Sequence, residues 1–163
     1  MSRRFALAMR CQPKVLSAVL TVLAIIYKSK VVACPIPLPS VDVDVNGTTL
    51  SLEVAATREA RACGLSHREY LSPEQGMLFV VPKPIKLDFW MNDTSLPLSI
   101  AFLDDSRRVL SIQKMRPRQN REHYVSPASA RYAIEVNQGW FDEHNVRVGD
   151  IIELKVPAIL IVN

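Results

Sequence analysis

Few features of this sequence identify a catalytic mechanism. The 163 residues include only three cysteines, three histidines and five glycines. No local spacing of the histidines or cysteines fits a zinc site, and the acidic pair Asp104-Asp105 lacks the repeating pattern of a calcium loop. We find no phosphate-binding loop, no nucleophile next to a base and no internal repeat. The sequence therefore specifies a compartment and a fold class better than an activity, and we predict no metal and no cofactor.

Acidic residues are missing from the first 33 positions, which hold six of the 20 basic residues. The rest of the chain has 14 basic and 16 acidic residues, so the formal net charge of +4 comes from the N-terminal segment. A domain that binds nucleic acid carries clustered positive charge that neutralises phosphates. We therefore predict no nucleic-acid partner for this domain.

The sequence also lacks an apolar run long enough to span a bilayer comfortably. Residues 15–26 form an uncharged apolar run of 12, against the roughly 20 apolar residues that a spanning helix needs. A run of this length behind a basic start is typical of a signal peptide. We predict that residues 1–33 are a signal peptide or lipoprotein signal, with an uncleaved membrane anchor as the alternative. Each of these places the domain in the periplasm, either free or anchored to the membrane.

Cys34 ends the tetrapeptide Val31-Val32-Ala33-Cys34, which resembles the lipobox at which bacterial lipoproteins are cut and acylated. Cys34 is therefore a lipidation candidate, although the same residues also suit ordinary signal peptidase. An acylated Cys34 leaves Cys63 unpaired, as a small buried hydrophobe or a reactive thiol. An unmodified Cys34 could instead pair with Cys63 in an oxidising compartment. The spacing alone leaves these alternatives open.

The exported chain is predicted to begin with a Pro-rich tether, residues 34–40, followed by one mainly β domain, residues 41–163. Asn46-Gly47 between two alternating segments predicts a β-hairpin, and the polar run 104–108 predicts a second one. Further strands are predicted at residues 76–81, 87–94, 96–103, 109–112, 131–136 and 151–156, and the tail 157–163 is predicted to add an edge segment.

Two short helices are predicted between the strands. One covers residues 58–63, with Thr57 as its N-cap and Gly64 at its end. The other covers residues 139–144, with Asn137 as its cap. About eight short strands with frequent turns indicate an antiparallel β-sandwich or a partly open barrel with two short helices, rather than a βαβ fold.

Several blocks of residues between Leu50 and Leu154 occur in an order that resembles one family. In chain order they are Gly64-Leu65, Gly76-Met77-Leu78-Phe79, Phe89-Trp90-Met91, Pro97-Leu98, Phe102-Leu103-Asp104, Tyr132 to Asn137, Gly139-Trp140 and Val148-Gly149-Asp150. Together they resemble the bacterial and archaeal family called domain of unknown function 192. The resemblance implies a small exported protein with a compact, mainly β fold, and it brings no biochemical activity with it. Residues that depart from the usual family pattern are Ser66, Asp93 and Ser99.

The first candidate site is the aromatic block together with the polar residues around it. Polar side chains that converge beside apolar rings are the usual form of a small-ligand site. The alternative is that Trp90 lies in the core and that Asp93 and Thr94 cap a turn. We expect Phe89 and Met91 to be core residues. The predicted ligand-binding residues here are Trp90, Asp93 and Thr94, with Asp88 and Asn92 beside them.

The second candidate site is the long polar segment 114–130, because long loops on compact domains often carry function. Its three arginines could hold an anionic group, although arginines in a solvated loop often bind nothing specific. His123 in the same loop is the histidine that we select as a general acid or base. The candidates are Arg116, Arg118, Arg121 and His123, with Asp88, Asp93, Asp104 or Glu135 as the acidic partner of the histidine.

From these residues we expect an uncharacterised exported envelope protein whose domain binds a small or anionic ligand without catalysis. One alternative is a small envelope hydrolase that uses His123 with an acidic partner. Another is a structural partner of a further envelope protein, bound through an added strand at residues 159–162.

Overall fold

The computed structural model describes residues 34–119 and 121–154, so the predicted signal segment and the predicted C-terminal edge segment lie outside the described residues. No helix within the described ranges has the length and apolar character to cross a membrane. The elements in chain order are β1 (Ser40–Val45), β2 (Thr48–Ala55), α1 (Arg58–Cys63), β3 (Gln75–Ile85), β4 (Asp88–Phe89), β5 (Leu98–Leu103), β6 (Val109–Met115), β7 (Tyr124–Val125), β8 (Ala130–Asn137) and α2 (Trp140–Glu143).

Six strands form the main sheet in the order β1-β2-β3-β8-β5-β6, and β4 pairs with β7 in a separate small sheet. Both predicted hairpins are confirmed, since β1 pairs with β2 and β5 pairs with β6 in antiparallel fashion. Asn46 (φ 53°) and Gly47 (φ 84°) form the turn of the first hairpin, as their tolerance of positive φ predicts. The predicted mainly β class is confirmed.

The main sheet is mixed, so the prediction of an antiparallel sheet without a βαβ unit was wrong. β2 and β3 run parallel, with Ser51 opposite Gln75 and Ala55 opposite Phe79. The connection between them contains α1. Parallel neighbours need a crossover of a dozen or more residues, and this crossover usually includes a helix. Alternation along each strand does not show which strands pair, and this is why the sequence did not indicate the crossover.

Close approach of β3 to its neighbours depends on Gly76. A Cβ atom at this position would overlap the carbonyl oxygen of Glu135 on β8 and lie 2.9 Å from Leu52 Cδ2 on β2. Glycine therefore lets the parallel and the antiparallel neighbour of β3 both reach hydrogen-bonding distance at this point.

The central strands are covered on both faces, which explains their continuous apolar sequences. All six residues of β5 are buried. One face packs Leu103 and Val136 against Phe141 of α2. The opposite face packs Met77 and Phe102 against α1, the small sheet and the loops around it. Burial on both faces replaces the inside-outside alternation that a sheet with one solvated face would show.

The first helix is confirmed in detail and the second is confirmed with a different cap. Thr57 Oγ1 accepts a hydrogen bond from the Ala60 N–H (3.1 Å), and Gly64 (φ 51°) ends α1. Asn137 is not the cap of α2, since its Nδ2 donates to the carbonyl oxygens of Leu71 (3.1 Å) and Ser72 (3.0 Å). That side chain ties β8 to the segment before β3 instead.

Several strand boundaries differ from the predictions, and the predicted strand 87–94 is reduced to β4, Asp88–Phe89. β3 continues through two prolines to Ile85, and the loop predicted at 114–130 contains β7, whose two residues are too few to give a periodic signal. The predicted strand 151–156 is reduced to an isolated bridge between Ile151 and Arg108, with no further strand up to Leu154. Residues 155 and 156 lie outside the described ranges.

A disulfide joins Cys34 to Cys63 at the end of α1. The Pro-rich segment between Cys34 and β1 also contacts the domain, because Leu38 packs against the core and the Pro39 carbonyl oxygen accepts from the Val54 N–H (2.8 Å). Lipidation would need the same Cys34 sulfur, so acylation and this disulfide are alternatives for one molecule. Acylation of Cys34 stays a prediction.

We predict that the double variant Cys34→Ser/Cys63→Ser lowers the free energy of unfolding by about 3 kcal/mol, because the cross-link closes a long loop of the unfolded chain. Urea unfolding followed by circular dichroism measures this, with Ser106→Ala in an exposed turn as the control. Mass spectrometry after alkylation should find neither thiol free in the unreduced protein. A diacylglycerol mass on Cys34 with an alkylated Cys63 would contradict the disulfide.

Candidate functional site

A cleft of about 480 Å³ opens between the end of α1, strand β3 and residues 85–94. We call it the Trp90 cleft. Its walls are mainly apolar and aromatic, and its rim carries polar and charged side chains. The apolar lining includes Phe79, Val81, Leu87, Phe89 and Met91, with the Cys34–Cys63 disulfide at one side.

The aromatic wall is anchored in the core of the domain. The Phe89 ring on β4 packs edge-on against Phe79 (centroids 4.8 Å apart) and against Phe102 (5.7 Å). Met91 is buried beside them. The predicted core role of Met91 is confirmed, and Phe89 is a half-buried residue that contacts both the core and the cleft.

Trp90 lies at the rim, with 55% of its surface exposed, and not in the core. Strand geometry explains this, because successive side chains point to opposite faces and Phe89 takes the inward direction. The Trp90 ring lies 6.1 Å from the ring of His123, with 52° between the planes. An exposed indole beside an apolar cleft offers a ligand a large flat surface.

Asp93 and Thr94 line the cleft and also form a turn, so both roles considered for them occur together. The Thr94 N–H donates to the Met91 carbonyl oxygen (3.3 Å), and Asp93 takes a positive φ of 52°. Asn92 Nδ2 donates to Asp93 Oδ2 (2.8 Å). The Asp93 carbonyl oxygen accepts from the His67 N–H (2.8 Å), which fixes this turn to the segment after α1.

Glu135, predicted only as a possible acidic partner of His123, lies in this cleft. It lies on β8 opposite Met77 and Ile100, is only 5% exposed, and lines the cleft. Burial alone raises the pKa of its carboxyl group to about 8. No hydrogen bond among the described residues engages this carboxyl group. The sequence signal for this residue is an acidic side chain within the otherwise apolar segment 133–136 of β8. Such a position is expected to face a core.

The three candidate arginines have different surroundings. Arg118 lines a neighbouring depression of about 450 Å³, together with Arg68 and Asp93. Arg116 Nη2 pairs with Glu122 Oε1 (3.2 Å) on the surface, and Arg121 is exposed on the same loop. The structure therefore places one of the three arginines beside the Trp90 cleft and gives Arg116 a partner of its own.

His123 and Asp88 form a pair at the rim. The His123 Nδ1 lies 2.9 Å from Asp88 Oδ1 and 3.0 Å from Asp88 Oδ2. Pairing of β4 with β7, with Phe89 opposite Tyr124, brings the two side chains together. Asp88 also lines the cleft. Among the four acidic partners considered for His123, Asp88 is the one in contact.

The described residues contain no cluster of three or more His, Cys, Asp or Glu side chains that could hold a metal ion.

We predict that the free energy of unfolding falls as the pH rises from 5 to 8, and that Glu135→Gln reduces this fall. The folded pKa of Glu135 is about 8, against an ordinary value of 4.5, so between these values the folded protein keeps a proton that the unfolded chain releases. The slope from this one group is about 1 kcal/mol per pH unit. Urea unfolding at each pH measures it, with the exposed Glu143→Gln as the matched control. Parallel curves for Glu135→Gln and wild type would contradict the buried, protonated carboxyl.

Two solved structures similar to this chain are described only in general terms. A crystal structure from Novosphingobium aromaticivorans, of a protein of unknown function, is 30% identical and has a TM-score of 0.68, covering 75% of this chain and 90% of that one. A Sinorhizobium meliloti structure, described as a proposed transcription regulator, is 28% identical with a TM-score of 0.63, covering 69% and 88%. No curated protein matches the chain. The family model of domain of unknown function 192, described as an uncharacterised ACR, matches residues 41–154, and the chain belongs to this family.

Proposed function

We propose that the domain binds a small ligand in the Trp90 cleft. The observation that carries the proposal is the position of Glu135, a 5% exposed acidic residue whose carboxyl group lines the cleft and makes no hydrogen bond to a described residue. Burial of a carboxyl group costs free energy, so an acidic residue with a raised pKa that lines a cleft is a candidate for a functional role. A ligand group in the cleft would supply the missing partner.

The form of the cleft supports the same proposal. Its volume of about 480 Å³ falls within the range of small-molecule sites. Apolar walls with a few polar groups are the usual composition of such a site, and the exposed Trp90 at the rim adds surface for contact. The fixed aromatic wall of Phe79 and Phe89 means that little rearrangement is needed on binding.

The lining of the Trp90 cleft is mixed in charge. Asp88, Asp93 and Glu135 line it together with Arg61 and Lys86, whereas Arg118 lines the neighbouring depression. The depression around Arg118 therefore supports the expectation of an anionic ligand. The Trp90 cleft supports the expectation of a small ligand.

Export to the envelope is part of the proposal. Disulfides persist mainly in oxidising compartments such as the bacterial periplasm, and the Cys34–Cys63 bond agrees with the exported state expected from residues 1–33. The alternative of an envelope partner bound through residues 159–162 falls outside the described ranges and gains no support from the contacts described above.

We also propose that the main sheet and the small sheet pack as a sandwich. Tyr124 of β7 belongs to the same core cluster as Met77 and Phe102 of the main sheet, and Phe89 of β4 packs against that cluster. Side chains from two sheets that share one core are the defining feature of a sandwich.

We predict that a binding ligand raises the melting temperature of the full chain and that Trp90→Ala removes the shift. A thermal-shift screen would use divalent metals, sugar acids, phosphorylated compounds, organic amines and cell-wall fragments. A ligand at about 100 times its Kd adds about 2.7 kcal/mol to the free energy of unfolding. Tyr70→Ala is the matched control, because Tyr70 is another exposed aromatic residue, 72% exposed, that does not line the cleft. Equal shifts in both variants would place the ligand elsewhere.

A second candidate function, a small hydrolase, is favoured by the contact between His123 and Asp88. We predict that, if the chain hydrolyses p-nitrophenyl esters or phosphates, His123→Ala abolishes turnover and Asp88→Asn reduces it at least tenfold, because the carboxylate orients the imidazole. His144→Gln, at a histidine outside the cleft, should keep the rate. Turnover unchanged in His123→Ala would exclude this histidine as the catalytic group.

A further inference from the structure

We propose that the ligand of the Trp90 cleft carries an organic cation with N–H donors, an ammonium or guanidinium group, which binds the carboxylate of Glu135. This inference rests on the proposed function and names the chemical class of the ligand. It depends on the position of Glu135, on the aromatic walls and on the other charges of the cleft.

Glu135 is placed so that its side chain enters the cleft from an apolar surface. Its neighbours across the two adjoining strands are Met77 and Ile100, which offer no hydrogen bond. An ionised carboxylate only accepts hydrogen bonds, and its strongest partners are N–H groups of cations. A cation in the cleft would therefore satisfy both the hydrogen-bonding capacity and the charge of this group.

The aromatic walls favour the same ligand. Phe79 and Phe89 stand beside the cleft and Trp90 lies at its rim. The negative face of an aromatic ring attracts a cation, and tryptophan attracts it most strongly. An apolar body attached to the cation would contact Leu87 and Met91.

The remaining ionisable groups of the cleft leave Glu135 without a cation of its own. They are Arg61, His67, Lys86, Asp88 and Asp93. Arg61 Nη1 donates to the carbonyl oxygens of Ala56 and Val80 (2.9 Å to Val80), and no described hydrogen bond or ion pair joins this guanidinium to Glu135.

The rest of these groups lie at the outside of the cleft. His67 and Lys86 are exposed, Asp88 pairs with His123, and Asp93 accepts from Asn92. Burial is the one cause that shifts the pKa of Glu135, with no contribution from a nearby charge. The ligand would therefore supply the positive charge.

Binding of a cation should release a proton. In the ligand-free protein the pKa of Glu135 is about 8, so this carboxyl group is mostly protonated at pH 7. The cation binds the ionised form, so its affinity should rise with pH, by about tenfold per unit well below that pKa. A ligand that accepts a hydrogen bond from protonated Glu135 would show the opposite dependence.

The test compares benzylguanidinium with benzylurea, which has nearly the same shape and no charge. Isothermal titration calorimetry of the full chain at pH 6, 7 and 8 gives the affinity, and buffers of different ionisation enthalpy give the number of protons released. The guanidinium keeps its charge over this range, so the pH dependence belongs to the protein. Glu135→Gln and the exposed control Glu143→Gln complete the set.

We expect benzylguanidinium to bind at least tenfold more tightly than benzylurea, to bind more tightly as the pH rises, and to lose at least tenfold in affinity in Glu135→Gln. Equal binding of the two compounds, or an affinity that falls with rising pH, would overturn the proposal of a cationic ligand. If other compounds raise the melting temperature in a way that depends on Trp90 while benzylguanidinium does not bind, the proposal of a cationic ligand is wrong and the proposed function stands. If no compound gives such a shift, both fail. The pH series on the wild-type chain tests the cation even where Glu135→Gln does not fold.

Discussion

The pairing of β8 with β3 on one side and β5 on the other is the constraint on which the candidate site depends. This register puts Glu135 opposite Met77 and Ile100, on the face that packs against α1 and the small sheet. A slip of one residue would move Glu135 to the opposite face and turn Val136 toward the cleft. Gly76 lets β3 come close enough to β8 for this register. The position of one buried carboxyl group therefore follows from main-chain hydrogen bonds over three strands.

The small sheet performs a different task, because it brings together residues that are distant in the chain. β4 and β7 contribute only two residue pairs, yet they place His123 beside Asp88 and Trp90. Few hydrogen bonds hold so short a sheet, so its position relies on other contacts. The Leu87 N–H donates to Ser126 Oγ (2.9 Å), and Phe89 packs into the core. These contacts tie the rim of the cleft to the core of the domain, as expected of a preformed ligand site.

Local signals in the sequence were sufficient for the elements that depend on neighbouring residues. Asn46-Gly47 indicated its hairpin because few residues accept two consecutive positive φ values, and Thr57 indicated the start of α1 because its hydroxyl reaches an unpaired N–H. Pairing between distant strands gives no such local signal. The parallel alignment of β2 with β3 was missed for this reason, and β7 was missed because its two residues are too few to give a periodic signal. The sequence predicts Asn137 as a cap because the donors that a helix leaves unpaired are local, whereas the partners of its side chain lie 66 and 65 residues away.

The sequence by itself determined the mainly β class, the two hairpins, the first helix and the family, since these depend on turn residues, periodicity and ordered motifs. It also directed attention to the block around Trp90. Only the tertiary structure decided that Trp90 is exposed, that Asp88 is the partner of His123, and that Glu135 lies in the same cleft. The physical reason is that a binding site is a property of side chains from separate strands. Their meeting depends on register and crossover, and no short stretch of sequence encodes either one.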